Sequence, residues 1–459
     1  MTRRGLTVVA VLTVVGALTS VRLSGQSGPP PATAPTYSKD VAPVLFKHCT
    51  TCHRQGEIAP MSLLTYTETR PWARSIGARV AAGIMPPWHA DAGVGEFVND
   101  RRLTALEKDT IARWVEAGAP EGDPRDLPPP PHYAEGWRIS QPDVVLAMQE
   151  EYAIPAAGTI AYQYFEVPTN FSEDKWITSY EVRPSNRAVV HHVIVYARPP
   201  APPTSGSGSP QSGPQPAPLF TLADGMDIPA GQTGGPQLPP DQRRAIGPND
   251  RPAPRRLGAS LGGYVPGTSS RTYPRGTAVR IPAGSTLIFQ MHYTTIGKPT
   301  TDRTSIGFVL ASAPPQVELR STALINGGLE IPAGAADHRV DAEMTINRDV
   351  TLWSMLPHTH VRGKRWVYDV TYPDGRKEVI LSVPKYDFEW QTDYMFKRPL
   401  KLPTGTKLHA TAWYDNSPGN RSNPDPTSKV WWGDQTWEEM MFTGLLYSVD
   451  STEAPKPAQ

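Results

Sequence analysis

The sequence predicts a small helical domain followed by β-sandwich structure, and three observations lead to this prediction. The chain has 459 residues, enough for about three domains of ~150 residues each. It contains 51 prolines and 38 glycines, a composition typical of turn-rich β proteins. Helical periodicity is confined to residues 37–122, whereas short apolar runs between Pro, Gly and Asn fill the rest. The net charge of +1 gives no electrostatic reason to expect binding to nucleic acid or anionic lipid.

The first residues predict export. Arg3 and Arg4 precede an apolar stretch from Leu6 to Val21, and small and polar residues follow, which is the pattern of a secretory signal peptide. We expect a signal peptide over residues 1–25, a mature protein in the bacterial periplasm, and a Pro/Ala linker over residues 26–36. The apolar run is short for a membrane span, so a membrane anchor is the alternative if the signal stays uncleaved.

The helical domain contains three helical stretches. The first begins at Val41 and leads into the cysteine motif described next. The second, from Thr67 to Ala82, and the third, from Leu103 to Ala117, carry apolar residues at mixed spacings of three and four. Thr104 begins Thr-Ala-Leu-Glu, the pattern of a capping box, and we expect a helix to start there.

The chain has two cysteines, and both lie in Cys49-Thr-Thr-Cys52-His53, the C-x-x-C-H arrangement that attaches a c-type haem. Each thiol can form a thioether with a haem vinyl group, and His53 then binds the iron. A thioredoxin-like pair gives no reason for the histidine, and a zinc site needs further ligands nearby. The sequence therefore predicts covalent haem c and a role in electron transfer. Residues 37–122 resemble class I cytochrome c.

The sixth haem ligand must come from elsewhere in the helical domain. Met85, in Gly-Ile-Met-Pro-Pro-Trp, and Met61, in Ala-Pro-Met-Ser, are the candidates. The distal methionine of cytochromes c lies on a Pro-flanked loop beyond the haem-binding helix, so the resemblance favours Met85. His48 and His89 are weaker candidates, and the alternative role of either methionine is to fill the core.

Beyond a stiff Pro-rich linker over residues 123–139, the sequence has the pattern of strands. Strand-like segments bounded by turn residues include Trp176–Val182, Val189–Tyr196, Thr286–Tyr293 and Trp366–Tyr372. Tyr-Pro-Asp-Gly-Arg, from Tyr372, predicts a hairpin. Residues 199–254 are rich in Pro, Gly and Ser, and they predict a long flexible loop. Many short strands at this spacing indicate β-sandwiches.

Five histidines of the β region lie in positions that suit metal binding. His358 and His360 share one face of a strand, about 7 Å apart, which suits two ligands of one metal. His191 and His192 would point to opposite faces of a regular strand, so at most one of them would reach a common metal. His292 alone is equally consistent with an ordinary polar residue. Because neutral imidazole suits copper and zinc alike, the residues by themselves predict a histidine-rich metal site on a β scaffold.

Four motifs of the β region occur in an order found in one enzyme family. They are His-His-Val-Ile-Val-Tyr, Met-His-Tyr, His-Thr-His and Trp-Gly-Asp-Gln-Thr-Trp-Glu-Glu-Met, which begin at residues 191, 291, 358 and 432. With the Tyr-Asp-Asn-Ser-Pro-Gly-Asn stretch from Tyr414, they make residues 140–450 resemble the copper type II, ascorbate-dependent monooxygenases. That family includes peptidylglycine α-hydroxylating monooxygenase and dopamine β-monooxygenase.

The resemblance implies a fold and two copper ions. It implies two all-β, jelly-roll-like sandwich domains, at residues 140–315 and 316–450, with a tail at 451–459. Each domain would carry one copper, and a solvent-filled cleft would separate the two metals. The ligands that the resemblance assigns to the electron-donating copper are His191, His192 and His292. Those that it assigns to the copper that binds oxygen and substrate are His358, His360 and Met440.

Met440 is preferred to Met441 because it follows the acidic pair, as the methionine ligand of the family does. A soft thioether beside two imidazoles also favours Cu(I) over zinc, independently of the resemblance. A zinc hydrolase that uses His358 and His360 is the weakest alternative for the same reason.

The predicted function is therefore hydroxylation of a C–H bond of an organic substrate with O2. We expect the haem to supply electrons to the copper ions, in place of ascorbate or beside it. A periplasmic electron donor or a small-molecule reductant would reduce the haem, and the short Pro-rich linker keeps the haem domain near the first sandwich. The alternative is a non-enzymatic periplasmic electron-transfer or copper-binding protein.

Two features depart from the family. The animal enzymes contain disulfides, whereas this chain has no cysteine outside the haem motif, so packing alone must hold its sandwiches. No residues match those with which the family holds its substrates, so the substrate is not identified by the resemblance.

Overall fold

The computed structural model describes residues 34–57, 59–133, 136–200, 219–223, 258–265 and 270–450. The predicted signal peptide, most of the linker at 26–36, most of the loop at 199–254 and the tail at 451–459 lie outside the described residues. Among the helices of the described residues, none is long and apolar enough to cross a membrane.

Helices occur in the first part of the chain. The α-helices of the described residues are α1 (Ala42–His48), α2 (Tyr66–Thr69), α3 (Ala73–Ala81) and α4 (Ala105–Glu116). A π-helical turn precedes α1, and 3-10 turns occur at two further places: Tyr37–Val41, Arg70–Trp72 and Pro124–Asp126. The predicted capping box begins α4, because the Thr104 hydroxyl accepts from the Glu107 N–H and the Glu107 carboxylate accepts from the Thr104 N–H.

The helical elements enclose a core of their own. Tyr37, Leu45, Ile111 and Trp114 are fully buried in it. The Trp114 Nε1 donates to the carbonyl of Pro120 at 3.0 Å, which satisfies the one polar atom of the buried indole.

The rest of the described chain is β, as the composition predicts. The strands of the first half are β1 (Val144–Ala147), β2 (Tyr152–Ile154), β3 (Gln163–Pro168), β4 (Lys175–Arg183), β5 (Val190–Arg198), β6 (Phe220–Leu222), β7 (Ala259–Tyr264), β8 (Ser270–Thr272), β9 (Thr277–Ile281), β10 (Thr286–Tyr293), β11 (Thr300–Asp302) and β12 (Ser305–Leu310). Those of the second half are β13 (Val317–Ile325), β14 (Glu330–Ile331), β15 (His338–Ile346), β16 (Val350–His358), β17 (Gly363–Thr371), β18 (Lys377–Val383), β19 (Tyr394–Leu402), β20 (Lys407–Tyr414), β21 (Val430–Trp431) and β22 (Phe442–Val449).

Three large sheets organise these strands. One nine-stranded sheet has the order β1-β12-β4-β9-β13-β22-β16-β19, with β8 beside β4, and it includes strands of both halves. A four-stranded sheet, β3-β10-β5-β7, lies in the first half. A five-stranded sheet, β18-β17-β20-β15-β6, belongs mainly to the second half. The nine-stranded sheet runs from one half to the other through the parallel pair β9–β13.

Two further hydrophobic cores fill the β region. The first core takes side chains from β4, β9 and β12 of the nine-stranded sheet and from β5 and β10 of the four-stranded sheet. The second core takes side chains from β16, β19 and β22 and from β15, β17 and β20 of the five-stranded sheet. β13 serves both, because Leu319 is buried in the first core and Leu324 in the second.

The strands that the sequence predicts are confirmed. The four predicted segments form β4, β5, β10 and β17, with bounds that differ by a few residues. The predicted hairpin joins β17 to β18, and the Tyr372 N–H donates to the Arg376 carbonyl at 2.8 Å. Gly375 adopts a φ of 85° in this turn, a left-handed conformation that glycine adopts readily.

Two predicted boundaries are wrong in part. Phe220–Leu222, within the predicted flexible loop 199–254, forms β6 and pairs with β15 because its apolar side chains pack on the second core. Trp88, Ala90 and Phe97, within the predicted haem domain 37–122, are also buried in the second core. These three residues therefore belong to the β region by packing and to the helical domain by sequence, whereas Leu103, just before α4, is buried in the helical core.

Candidate metal centres

A β-bulge determines the geometry of the first histidine cluster. His192 on β5 lies opposite His292 on β10, but the next pair along the strands is Val190 with Tyr293. His191 is therefore an extra residue on β5, and a bulge of this kind redirects side chains. The expectation that at most one of His191 and His192 could reach a common metal was wrong, because it assumed a regular strand.

The Nδ1 atoms of the first cluster converge. His191 Nδ1 lies 3.2 Å from His192 Nδ1, and His292 Nδ1 lies 3.4 Å from the same atom. One ligand atom from each of these histidines lies within 4.8 Å of the others. Two imidazole nitrogens that bind one ion at about 2.0–2.1 Å are no more than ~4.2 Å apart. The two Nδ1 separations from His192 fall within this limit, and the full set, within 4.8 Å, needs only a small inward shift to surround a single ion.

The outer nitrogens of this cluster have partners from the second half of the chain. His191 Nε2 lies 3.1 Å from a carboxylate oxygen of Glu389, and His292 Nε2 lies 3.4 Å from the Thr436 hydroxyl. The ring of Tyr162 packs against His192 and His292, with centroid separations of 5.4 and 4.9 Å. Such outer partners orient a ligand ring and leave its other nitrogen for the metal.

The second cluster lies where two neighbouring strands of the nine-stranded sheet meet a turn. His358 ends β16 and faces Phe442, at the start of β22. His360 follows in the turn toward β17, and its ring centroid is 5.2 Å from that of His358. The two side chains do lie together, but not on one face of a strand as predicted, because β16 ends at His358.

Hydrogen bonds leave the Nε2 atoms of the second cluster available. His358 Nδ1 lies 2.9 Å from the amide oxygen of Gln391, and His360 Nδ1 lies 3.1 Å from the carbonyl of Glu438. His360 Nε2 is buried and has no hydrogen-bond partner among the described residues. Because a buried polar atom without a partner is costly, this nitrogen fits a metal ligand.

Glu439 ties Met440 to the second cluster. Its buried carboxylate accepts the backbone N–H groups of His360 and Arg362, both at 2.7 Å, and that of Met440 at 3.2 Å. Burial raises the pKa of Glu439 to about 7, although these three donors and the Arg362 guanidinium oppose the rise. One carboxylate thus fixes the backbone of two of the three predicted ligands.

The two adjacent methionines differ in their surroundings. Met441 is buried, with 1% of its surface exposed, and it belongs to the second core. Met440 is half-buried and lies outside the residues of that core. This difference supports Met440 as the candidate ligand, as the sequence predicts.

Burial favours the neutral form of most of these histidines. It lowers the pKa of His292 to about 3 and that of His358 to about 4. It also holds the pKa of His192 and His360 well below the usual range, and neighbouring histidines add to the effect. Since a metal binds neutral imidazole, the electrostatics of both clusters suit metal binding.

One aromatic side chain lies between the two clusters. The Phe388 ring stacks on His191 with a centroid separation of 5.2 Å, and it lies 6.4 Å from His292 and 6.2 Å from His360. The resemblance implies a solvent-filled cleft between the metals, whereas here a phenyl ring contacts histidines of both clusters.

The cysteine motif forms a helical turn at the end of α1. The N–H groups of Cys52 and His53 donate to the Cys49 carbonyl at 3.0 and 2.9 Å, so the three residues lie on adjacent positions of one turn. The cysteines are not bonded to each other. Burial raises the pKa of the Cys49 thiol to about 12, and the Cys52 thiol adds to this. His53 Nδ1 is buried without a hydrogen-bond partner among the described residues.

The two candidate sixth ligands occupy different places. Met61 packs on the helical core, and a hydrogen bond between its backbone and His53 opposes the lowering of the His53 pKa by burial. Met61 is thus on the side of His53 itself. Met85 follows α3, where its N–H donates to the Arg79 carbonyl at 3.3 Å, and it precedes the segment that reaches the second core. The geometry does not bring Met85 and His53 together by any described contact.

An ionic cluster joins the cysteine motif to the first half of the β region. The Glu57 carboxylate accepts from Arg54 at 2.8 Å and from Arg187 at 2.6 Å, and it also pairs with Arg138. Arg187 lies four residues before His191 on the approach to β5. The helical domain therefore contacts the chain immediately beside the first histidine cluster.

Sequence reasoning missed several residues around the clusters. Phe388, Glu389 and Gln391 lie in the connection between β18 and β19, far in sequence from every motif. Tyr162 and Thr436 were missed as well. The visible signal for the first three is a dense aromatic and acidic run, Tyr-Asp-Phe-Glu-Trp-Gln, between two strands, and Thr436 lies within the motif that begins at Trp432.

No protein-family model matches the chain, and no curated protein matches it. Solved structures with partial likeness include the major capsid protein P2 of bacteriophage PM2, with 8% identity and a TM-score of 0.27 over 67% of this chain and 98% of that one. An allantoicase matches with 8% identity and a TM-score of 0.16 over 59% and 83% of the two chains. The infectious bursal disease virus Gx strain structure matches with 10% identity and a TM-score of 0.19 over 69% and 74%. At such TM-scores the likeness carries no argument about function.

Proposed function

We propose that the chain is an exported haem c- and copper-dependent monooxygenase that hydroxylates a C–H bond of an organic substrate with O2. In this proposal residues 37–122 form the haem domain, residues 140–315 the jelly-roll-like domain of the first copper, and residues 316–450 that of the second. The haem supplies electrons to the copper ions. The observation that carries the proposal is the pair of histidine clusters that face each other across Phe388.

The donor sets support two copper ions with different roles. Three imidazole nitrogens, with no sulfur, suit an ion that passes electrons: His191, His192 and His292. Two imidazoles and a thioether favour Cu(I) and leave room for an exogenous ligand: His358, His360 and Met440. Bound copper would supply the one-electron redox chemistry and the reaction with O2.

The chain's own residues prepare this chemistry. Gln391 and the Glu438 carbonyl hold the Nδ1 atoms of His358 and His360, so that the Nε2 atoms are presented to the ion. The Glu439 carboxylate accepts from the backbone N–H groups of His360 and Met440 and thereby holds these two residues close together. Because the cluster is buried, water is largely excluded from the ligand nitrogens, and electrostatic interactions there are strong.

The position of the helical domain supports electron supply from a haem. Glu57 is five residues from Cys52, and its partner Arg187 is four residues from His191. The charges of Cys52 and Glu57 also act on Tyr264 of β7, whose pKa is raised mainly by burial. A haem held by Cys49 and Cys52 would therefore lie beside the first half of the β region.

The test is reoxidation of the haem by O2. Fully reduced, copper-loaded protein is mixed with O2 in a stopped-flow instrument, and haem absorbance is followed in the wild type, His292→Ala and Met440→Ala. We expect reoxidation in the wild type and much slower reoxidation in both variants, since each lacks a ligand of one ion. Protein loaded with zinc, which has no redox chemistry, is the control.

The same experiment separates the alternative function. Equal reoxidation rates in the wild type, both variants and the zinc-loaded control would mean that the haem is not connected to copper. A periplasmic electron-transfer or copper-binding protein would then be the better account. Sustained O2 uptake with an added reductant, in the wild type alone, supports the enzyme.

A further inference from the structure

The connection between β18 and β19 contacts ligands of both histidine clusters. Within five residues, Asp387 to Gln391, it presents a carboxylate to His191, an amide oxygen to His358 and a phenyl ring to histidines of both clusters. We call residues 387–391 the shared segment.

We propose that the shared segment positions the ligands of both metal centres, with Glu389 acting on the first centre, Gln391 on the second and Phe388 on both. The proposal rests on the proposed function, because it concerns the same two centres. It adds positioning residues that the resemblance does not assign.

Gln391 and Glu389 act by selecting a ligand nitrogen. Gln391 accepts from His358 Nδ1 at 2.9 Å, which places the hydrogen on Nδ1 and the lone pair on Nε2. Glu389 lies 3.1 Å from His191 Nε2, which places the hydrogen there and the lone pair on Nδ1. Glu389 thus selects Nδ1 of His191 as the ligand atom, and Gln391 selects Nε2 of His358. This agrees with the convergence of Nδ1 atoms in the first cluster and with the availability of Nε2 in the second.

Phe388 acts by restricting ring rotation. Its ring stacks on His191 with an interplanar angle of 20° and meets His360 edge-on at 82°. A histidine ring that turns away from its ligand orientation must displace this phenyl ring. Because the same ring contacts both clusters, its removal would loosen ligands of both centres at once.

The hydrogen-bond network at the start of the segment fixes its position. The Tyr386 hydroxyl donates to the Thr359 carbonyl at 2.9 Å and accepts from the Thr359 N–H at 3.2 Å. Thr359 lies between His358 and His360. Tyr386 therefore anchors the shared segment to the backbone of the second cluster. These two hydrogen bonds involve neither histidine ring.

The test measures copper affinity centre by centre. Cu(I) affinity is determined by competition with a chromophoric chelator in a His358→Ala background, which retains the first centre, and in a His292→Ala background, which retains the second. We expect Glu389→Ala to weaken the first centre and Gln391→Leu the second, each by about 10- to 100-fold. We expect Phe388→Ala to weaken both, by about two- to tenfold.

Conservative variants distinguish positioning from general damage to the fold. Gln391→Glu retains an acceptor and should restore affinity at the second centre, and Phe388→Tyr retains the ring and should restore both. The control is Phe171→Ala, which removes a half-buried phenyl ring of the first core near the far end of β10. It should leave both affinities unchanged. The Cu(II) electron paramagnetic resonance parameters should shift in Phe388→Ala in both backgrounds.

Two outcomes would overturn the proposal. One is a Phe388→Ala variant that changes one centre or neither, and the other is an effect of Gln391→Leu that Gln391→Glu does not reverse. These outcomes differ from failure of the proposed function, in which the wild type and both background variants would bind no copper before any residue of the shared segment is changed.

Discussion

At the scale of single residues, burial keeps the candidate ligand histidines neutral, which is the form that binds a metal. The side chains of His192 and His360 are 1% and 0% exposed, and removal from water disfavours the imidazolium form. Protons therefore compete weakly with a metal for these nitrogens over the physiological pH range. The cost of keeping such groups buried and neutral is offset when a metal occupies the free nitrogen.

The low pKa values of the buried histidines determine how copper affinity at the second centre depends on pH. Its two imidazoles have pKa values held down by burial, to about 4 for His358 and well below the ordinary value for His360. The neutral, metal-binding form is present above the folded pKa and is lost as the pH falls through it. In the His292→Ala background, copper affinity should fall steeply near pH 4, where His358 is protonated, after a smaller step near pH 7, where the Glu439 carboxylate that holds the backbone of His360 and Met440 is protonated. Chelator competition at several pH values measures this. An affinity that is lost entirely near pH 7, or that does not fall near pH 4, would contradict it.

At the scale of elements, the strands could be predicted from the sequence, whereas the irregularities and connections that gather the histidines could not. The predicted strands were confirmed, because short apolar runs bounded by turn residues are visible in the sequence. The bulge that gathers His191 and His192 was not predicted, since one extra residue on β5 leaves no trace in such a run. The shared segment was missed because its partners are brought near by tertiary packing alone.

The helical elements likewise include features that the local sequence predicts and features that it does not. The capping box of α4 follows from local sequence and was predicted. The burial of Trp88 and Phe97 in the second core was not, because nothing local indicates which core an apolar residue joins. Leu106, part of the predicted apolar face of α4, is 73% exposed.

Met85, in the segment after α3, is the predicted sixth ligand of the haem iron. Met85→Ala should abolish the weak absorption band of sulfur–iron ligation and lower the haem reduction potential, because thioether ligation raises it. Met61→Ala is the matched variant and should keep the band, since its backbone lies on the side of His53. Optical spectra of the purified variants and a redox titration measure both effects. Loss of the band in Met61→Ala alone would show that the other methionine is the ligand.

At the scale of the whole molecule, the helical domain contacts both halves of the β region. Glu57 pairs with Arg187 of the first half. The Asp91 N–H donates to the Ser382 carbonyl at 2.8 Å, and the Asn99 side chain donates to the Asp393 carbonyl at 2.7 Å, both in the second half. The three parts are thus held together around the two histidine clusters, an arrangement that suits electron transfer between fixed centres.

The metal content of the purified protein decides whether the two histidine clusters hold copper. Elemental analysis after copper-replete expression should find two copper ions and one haem iron per chain, because the described geometry contains two separate ligand sets. His292→Ala and His358→Ala should each retain one copper ion and the haem. A wild-type protein that holds at most one copper ion, or that holds zinc under these conditions, would contradict the account.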